Sequence, residues 1–437
     1  MNAHRKQLVS LAGPVYVQFL AFVAAGIVNT VWVARLGGPA VAAVAMATTV
    51  ENVLLGVALV FGSGTTVLVA HARGARDPAA VRAAVRGGWA LCALVTPVVA
   101  VGGFLLREPL ARLALGGGDA VPLAAAYFAV SLPGVTVFFA QQLVDGLLKG
   151  AGDTRTPMRL ALLANGLILV CDPWFVHRYG VEGAAASTVL CRCAALAAGL
   201  VAVRRNAVLR GAGARPAGPV AAALRRTLRT GLPMSADFTV RQTGTLVLVA
   251  IVARLGVTAV AAYAIAFKVM FVVTMACYAV RQAASIHTAH TLGEGREERR
   301  AIGREAVLVA CAVALAGAVL LAVTASWIMA AFGAGPDVAR EGVLFLRCIG
   351  PYLVLMAGFI ALGGVFEGGG GAGVLLRVTL FGTAVQLPLA YGLSGLGLPG
   401  VALAAALATG LQGAVCAVLF RRAGRQEETG VPLAAAV

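Results

Sequence analysis

Long apolar blocks, each broken by Gly, Pro or charge, recur along the chain at 11–34, 43–71, 86–106, 122–148, 157–179, 182–203, 230–253, 262–290, 305–328, 338–366, 372–393 and 398–420. A helix needs about 20 predominantly apolar residues to cross a bilayer, so the pattern predicts about twelve transmembrane helices. The first block follows a short basic start and runs well past the length of a signal-peptide core, which predicts a retained first helix.

Composition strengthens this reading. The 437 residues are 60% hydrophobic and 12% charged, against roughly 45–50% and about 25% in soluble domains. The chain is expected to be an all-α integral membrane protein with no room for a large soluble domain. All eight cysteines lie in apolar stretches and none forms a CxxC pair, so neither disulfides nor a metal site is expected.

The formal net charge of +17 would suggest a nucleic-acid partner on a soluble chain. Its distribution points elsewhere. With the N-terminus inside, one face collects 24 Lys and Arg, the other 6, and five are embedded in the apolar blocks. Cytoplasmic loops carry the excess of positive charge, so both termini are expected in the cytoplasm of a multi-pass plasma-membrane protein. The arginine layer then meets anionic lipid, and no nucleic acid is needed to explain it.

The chain repeats. VARLGGPAVAAVAMA from Val33 returns as VARLGVTAVAAYAIA from Val252, an offset of 219 between Arg35 and Arg254, and Pro133 returns as Pro351 at 218. Between the copies lies an Arg-, Gly-, Pro- and Ala-rich stretch. The expected organisation is a six-helix lobe over 1–203, a basic cytoplasmic linker over 204–229, a second six-helix lobe over 230–420 and a tail over 421–437. Six spans per copy give both halves the same orientation, related by an axis along the membrane normal.

Several runs together carry a resemblance. They are Asn29 to Gly37 (NTVWVARLG), Gly64 to Ala70 (GTTVLVA), Lys149 to Met158 (KGAGDTRTPM), Asn165 with Asp172-Pro173, and Gly183-Ala184-Ala185. In order and spacing the chain resembles the multidrug and toxic compound extrusion (MATE) transporters. The resemblance implies a monomeric two-lobe exporter of amphipathic small molecules and drugs, with H+ or Na+ as coupling ion and no other cofactor, alternating between outward- and inward-facing states. It also exposes two departures. Many members carry an aspartate where Asn29 stands, in a cluster that takes up the coupling cation, and a second asparagine where Ile168 stands. An amide does not ionise near neutral pH, so one proton-binding group is gone.

Charge at mid-membrane costs at least about 2.5–3.5 kcal/mol on insertion scales, which makes each embedded ionisable residue a candidate. For cation coupling the candidates are Asp172, Asn29, Asn165 and Glu51; for the substrate cavity they are Asp237, Arg241, Lys268 and again Glu51. Asp172 and Asn165 lie seven residues apart on nearly one helix face, although Asp172-Pro173 would also serve simply to kink the helix. Glu51 has Met270 as its repeat-mate, an asymmetry that favours a special role over fold maintenance. Asp237 and Arg241 have the i,i+4 acid-first spacing of an ion pair along a helix, and either pairing or cavity lining accounts for them. Lys268 and Arg281 are separated by about 20 Å along their helix and cannot form one site. Asp145, Lys149 and Glu367 stand near cytoplasmic helix ends, as interfacial residues or gate pairs. The loops offer no paired carboxylates and no His/Asp constellation, so no catalytic residue is assigned and a polytopic acyl- or glycosyltransferase is disfavoured. A lipid-linked saccharide flippase of the same superfamily and a transport-inactive scaffold or sensor stay open as alternatives. The charge bias predicts that Arg296→Cys reacts with a membrane-impermeant maleimide only after cells are permeabilised, whereas Gly335→Cys reacts from outside. The reverse pattern would invert the topology.

Overall fold

The computed structural model describes residues 3–34, 36–116, 120–210 and 218–427. Its helices are α1 (Ala3–Ala34), α2 (Gly38–Gly74), α3 (Pro78–Leu105), α4 (Arg107–Leu115), α5 (Ala120–Gly150), α6 (Arg155–Arg205), α7 (Ala207–Arg210), α8 (Val220–Ala253), α9 (Val257–Gly293), α10 (Arg299–Ala331), α11 (Pro336–Cys348), α12 (Gly350–Gly368), α13 (Ala372–Leu393) and α14 (Gly397–Glu427). No strand occurs among the described residues.

Among the described residues, ten helical stretches are long and apolar enough to cross a membrane. Two of them, Arg155–Arg205 and Ala372–Arg422, contain 51 residues each, about 76 Å at the usual rise and more than twice a ~30 Å hydrocarbon core. Each is broken near its middle. In α6 the break is Gly180, whose φ of 59 and ψ of −134 lie outside any helical region and suit a residue with no Cβ. Between α13 and α14 a short 3-10 turn, Ser394–Leu396, precedes Gly397 at φ 72. Each stretch therefore serves as two crossings, which makes twelve, as the apolar blocks predict. Large apolar side chains face outward on these helices, with Val170, Val323 and Trp327 exposed at 74%, 75% and 82%. Water would penalise such a surface, whereas lipid tails accept it.

The turns before α3 and α6 are set by local chemistry. Asp77 accepts hydrogen bonds from the Ala79 and Ala80 amides at 2.9 and 3.0 Å, with Pro78 as the first residue of α3. Asp153 does the same for Arg155 and Thr156 at the start of α6, at 3.1 and 2.9 Å. These caps satisfy amides that have no partner inside the helix. The stretch expected as a basic linker is helical at both ends: Arg204 and Arg205 close α6, and Val220 to Arg229 open α8. Residues 211–217 and 428–437 lie outside the described residues.

Two compact units emerge, one of Val17–Ser235 and one of Met1–Tyr16 with Ala236–Val437. Both α1 and α8 thus begin in one unit and end in the other. In the first unit, the Ser235 hydroxyl donates to the Gly56 carbonyl at 2.6 Å, and the core contains the edge-to-face pair Phe61–Phe139 at 5.3 Å. In the second, Leu8 and Val15 are fully buried, Arg5 bonds Glu305 at 2.8 Å and the His4 ring meets His287 at 3.0 Å. Tyr263 stacks edge-on against Phe345 at 5.6 Å in the same unit.

Within each unit one close helix approach uses two glycines one turn apart. A Cβ added at Gly146 or Gly150 of α5 would lie 2.5 Å from the Gly62 carbonyl oxygen or 2.7 Å from that of Thr66, both on α2. A Cβ at Gly364 or Gly368 of α12 would lie 2.2 Å from the Arg281 carbonyl oxygen or 2.3 Å from that of Ser285, both on α9. The four glycines match at an offset of 218 and their four contacts at 219, the same register as the sequence repeat. Small residues spaced by four are how membrane helices bring backbones together. Gly146→Leu and Gly364→Leu are each expected to lower thermal stability in detergent by about 1–3 kcal/mol or to prevent monodisperse folding, as overpacking does. Gly102→Ala, with open space around its Cβ position, is expected to leave the melting temperature nearly unchanged.

Candidate functional site

The first unit contains a cleft between α2, α5 and the second half of α6. Its lining includes Glu51, Tyr127, Phe128, Leu132, Phe138 and Arg192. Glu51 stands 13 residues after the start of α2, over three turns in rather than the two expected from the apolar block. Arg192 follows the Gly180 break by 12 residues. The two charges therefore enter at a similar depth from the same end of their helices, about 18–20 Å at the usual rise. Neither makes a hydrogen bond or a direct ion pair among the described residues. The Arg192 guanidinium lies 5.2 Å from the centre of the Phe138 ring, a cation–π distance. Tyr127, 4% exposed, sits within electrostatic reach of Glu51, Arg192 and Asp172 together.

Asp172 is fully buried at 0% exposure, and neither carboxylate oxygen has a hydrogen-bond partner. The buried Ser187 hydroxyl acts on it electrostatically and likewise makes no hydrogen bond among the described residues. Buried polar groups in folded proteins are almost always satisfied, and an unpaired buried carboxylate is among the costliest exceptions. Two of the other sequence candidates share this condition: Asn29 Oδ1 and Asn165 Nδ2 are both buried and unpartnered. No hydrogen bond joins the three among the described residues. Asn165 and Asp172 are about 10 Å apart along α6, too far for one small ion to touch both.

Toward the C-terminal end of α5, Gln18 donates to Asp145 Oδ2 at 2.8 Å, while Asp145 Oδ1 has no partner among the described residues. Lys149, one turn further along α5, is buried at 6% exposure and opposes the Asp145 charge. Sequence reasoning had Asp145 and Lys149 but missed Gln18. The signal was available, because Gln18 is the repeat-mate of Asp237 at the offset of 219.

The second unit pairs its charges directly. Asp237, with 0% exposure, lies 2.7 Å from Arg241 and 2.8 Å from Arg281, and accepts a hydrogen bond from the Thr379 hydroxyl at 2.5 Å. Arg281 also donates to both oxygens of Glu367, at 2.7 and 3.2 Å. Two carboxylates thus face two guanidiniums, and α8, α9, α12 and α13 each contribute. The i,i+4 pair expected from sequence is present, and Arg281, Glu367 and Thr379 complete it. Lys268 stays out of this network, exposed and without an ion-pair partner among the described residues. No group of three or more potential metal ligands is found among the described residues.

Comparison with known proteins bears on this arrangement. The MatE family model matches twice, over residues 14–174 and 233–392. The chain is 25% identical over 399 residues to the probable multidrug resistance protein NorM of Thermotoga maritima, covering 89% of this chain and 85% of that protein. To the probable multidrug resistance protein YpnP of Bacillus subtilis it is 25% identical over 297 residues, 67% of this chain and 66% of the relative. A solved structure of a MOP superfamily transporter from Pyrococcus furiosus superposes with a TM-score of 0.88 at 23% identity, covering 96% of each chain, a likeness of fold. With one family model matching each half of a chain whose halves repeat in the same register, the protein belongs to the MatE family, the multidrug and toxic compound extrusion transporters.

Proposed function

We propose that this protein exports amphipathic small molecules across the cytoplasmic membrane in exchange for H+ or Na+, by alternating access and with both termini in the cytoplasm. The orientation rests on the arginine asymmetry of the loops. The observation that carries the coupling is Asp172, a fully buried carboxylate whose two oxygens make no hydrogen bond among the described residues. A proton or a sodium ion on Asp172 supplies the missing partner and removes the cost of the bare charge. Such binding shifts the balance between two lobe conformations only by the difference in its affinity for them. A site that strongly favours occupancy in one conformation and releases its ion in the other therefore converts a gradient into motion.

Asn29 and Asn165 contribute neutral amides to the same unit. In place of a titratable group, Asn29 offers an oxygen that can coordinate a cation or accept from a protonated carboxyl. Asn165, about two turns from Asp172, would act at a separate step along the ion path. Glu51 contacts substrate in the cleft, and Tyr127 links that cleft electrostatically to Asp172. The paired network of Asp237, Arg241, Arg281 and Glu367 is neutral overall and serves to hold its helices together.

In sealed vesicles with pH and sodium gradients imposed separately, Asp172→Asn is expected to reduce gradient-driven efflux at least tenfold without loss of protein from the membrane, while Asp172→Glu retains part of it. Undiminished coupled efflux by Asp172→Asn overturns the role of Asp172. Absence of substrate movement by the wild type under either gradient overturns the exporter reading itself.

A further inference from the structure

We infer that the cleft between α2, α5 and α6 selects zwitterionic amphiphiles, with Glu51 binding a cationic amine and Arg192 binding a carboxylate or phosphate on one ligand. The inference rests on the exporter reading and names the substrate class of its site. Opposite charges lining one cleft at mid-membrane depth ordinarily close into a direct pair, because each unpaired charge is costly there. The second unit shows that this chain does so where it can: Asp237, Arg241, Arg281 and Glu367 are joined at 2.7 and 2.8 Å. Glu51 and Arg192 make no such contact. Each retains its hydrogen-bonding capacity for a third party.

The shapes of the two groups define what they take. Arg192 lies 5.2 Å from the centre of the Phe138 ring, and its guanidinium fork suits bidentate binding of an oxyanion. Glu51 has only acceptor oxygens and suits an ammonium. Leu54 and Phe138, both partly exposed in the same cleft, offer apolar surface to the body of the ligand, and Tyr127 forms part of the wall. The repeat argues against an architectural role. Met270 stands where Glu51 stands in the first half, and the stretch corresponding to Arg192, around 409–411, is Thr409, Gly410 and Leu411. The framework is duplicated, but this charge pair is not.

The test uses full-length protein in lipid nanodiscs and three probes on one ring scaffold: an aromatic amino acid, its methyl ester as the cation, and its N-acetyl form as the anion. The wild type is expected to bind the zwitterion about tenfold or more tighter than either singly charged analogue, roughly 1.4 kcal/mol per tenfold. Glu51→Gln is expected to drop zwitterion affinity to that of the anion, and Arg192→Gln to that of the cation. The exchanged variant Glu51→Arg with Arg192→Glu should restore the preference and keeps the test decisive if a single substitution fails to fold. Wild-type protein with no zwitterion preference, or variants that keep the wild-type ranking, overturn the inference. Gradient-driven efflux of the same three probes from proteoliposomes is measured alongside. Selective binding without any transport counts against the exporter reading, whereas transport without charge preference counts against the cleft assignment.

Discussion

Two close backbone contacts, one in each unit, set the geometry on which the other features depend. At Gly146 and Gly150 against α2, and at Gly364 and Gly368 against α9, the helices approach to distances that leave no room for a side chain. Between membrane helices there is little hydrophobic driving force, since lipid is as apolar as a leucine side chain. Packing contacts and satisfied polar groups must do the holding. The glycine steps supply the first of these, and they do so identically in both halves because gene-level repetition preserved the register at 218 and 219 residues.

On that common frame the two units distribute charge differently. The position of Gly62, which α5 meets through its glycines, carries Arg281 in the second half, and Gln18 and Lys149 correspond to Asp237 and Glu367. The first unit is left with Gln18, Asp145 and Lys149, incompletely satisfied. The second closes its acids and bases into a neutral network that ties four helices. A buried pair offers little net stability over apolar packing, but removing one partner strands the other at high cost. The second unit is thus constrained by its network, although Arg241 Nε and Arg281 Nη1 make no hydrogen bond among the described residues and Lys268 stays outside any ion pair, while the first contains unsatisfied atoms at Asp172, Asn29 and Asn165 and charges outside any direct ion pair at Glu51 and Arg192.

The Tyr127 phenol is within electrostatic reach of Asp172, Glu51 and Arg192. On the proposed reading, an ion at Asp172 and a charged ligand in the cleft each alter the field at the other, and linkage requires any such effect to be mutual.

Hydropathy alone determined the twelve crossings, because the length of an apolar run and the thickness of a bilayer leave few choices. The repeat, the arginine asymmetry and the i,i+4 pairing of Asp237 with Arg241 were equally legible, each being a property of spacing along one segment. The tertiary structure decided what spacing cannot express. It assigned the first turns of α1 to the unit of the second half and those of α8 to the unit of the first, since helix ends follow packing partners such as Glu305 and Gly56 across hundreds of residues. It brought Arg281, Glu367 and Thr379 onto Asp237, and it kept Glu51 and Arg192 in one cleft without joining them. Whether a buried charge is neutralised or left for a ligand depends on which helices meet at that depth, and contacts among distant segments are fixed only when the chain is packed in three dimensions.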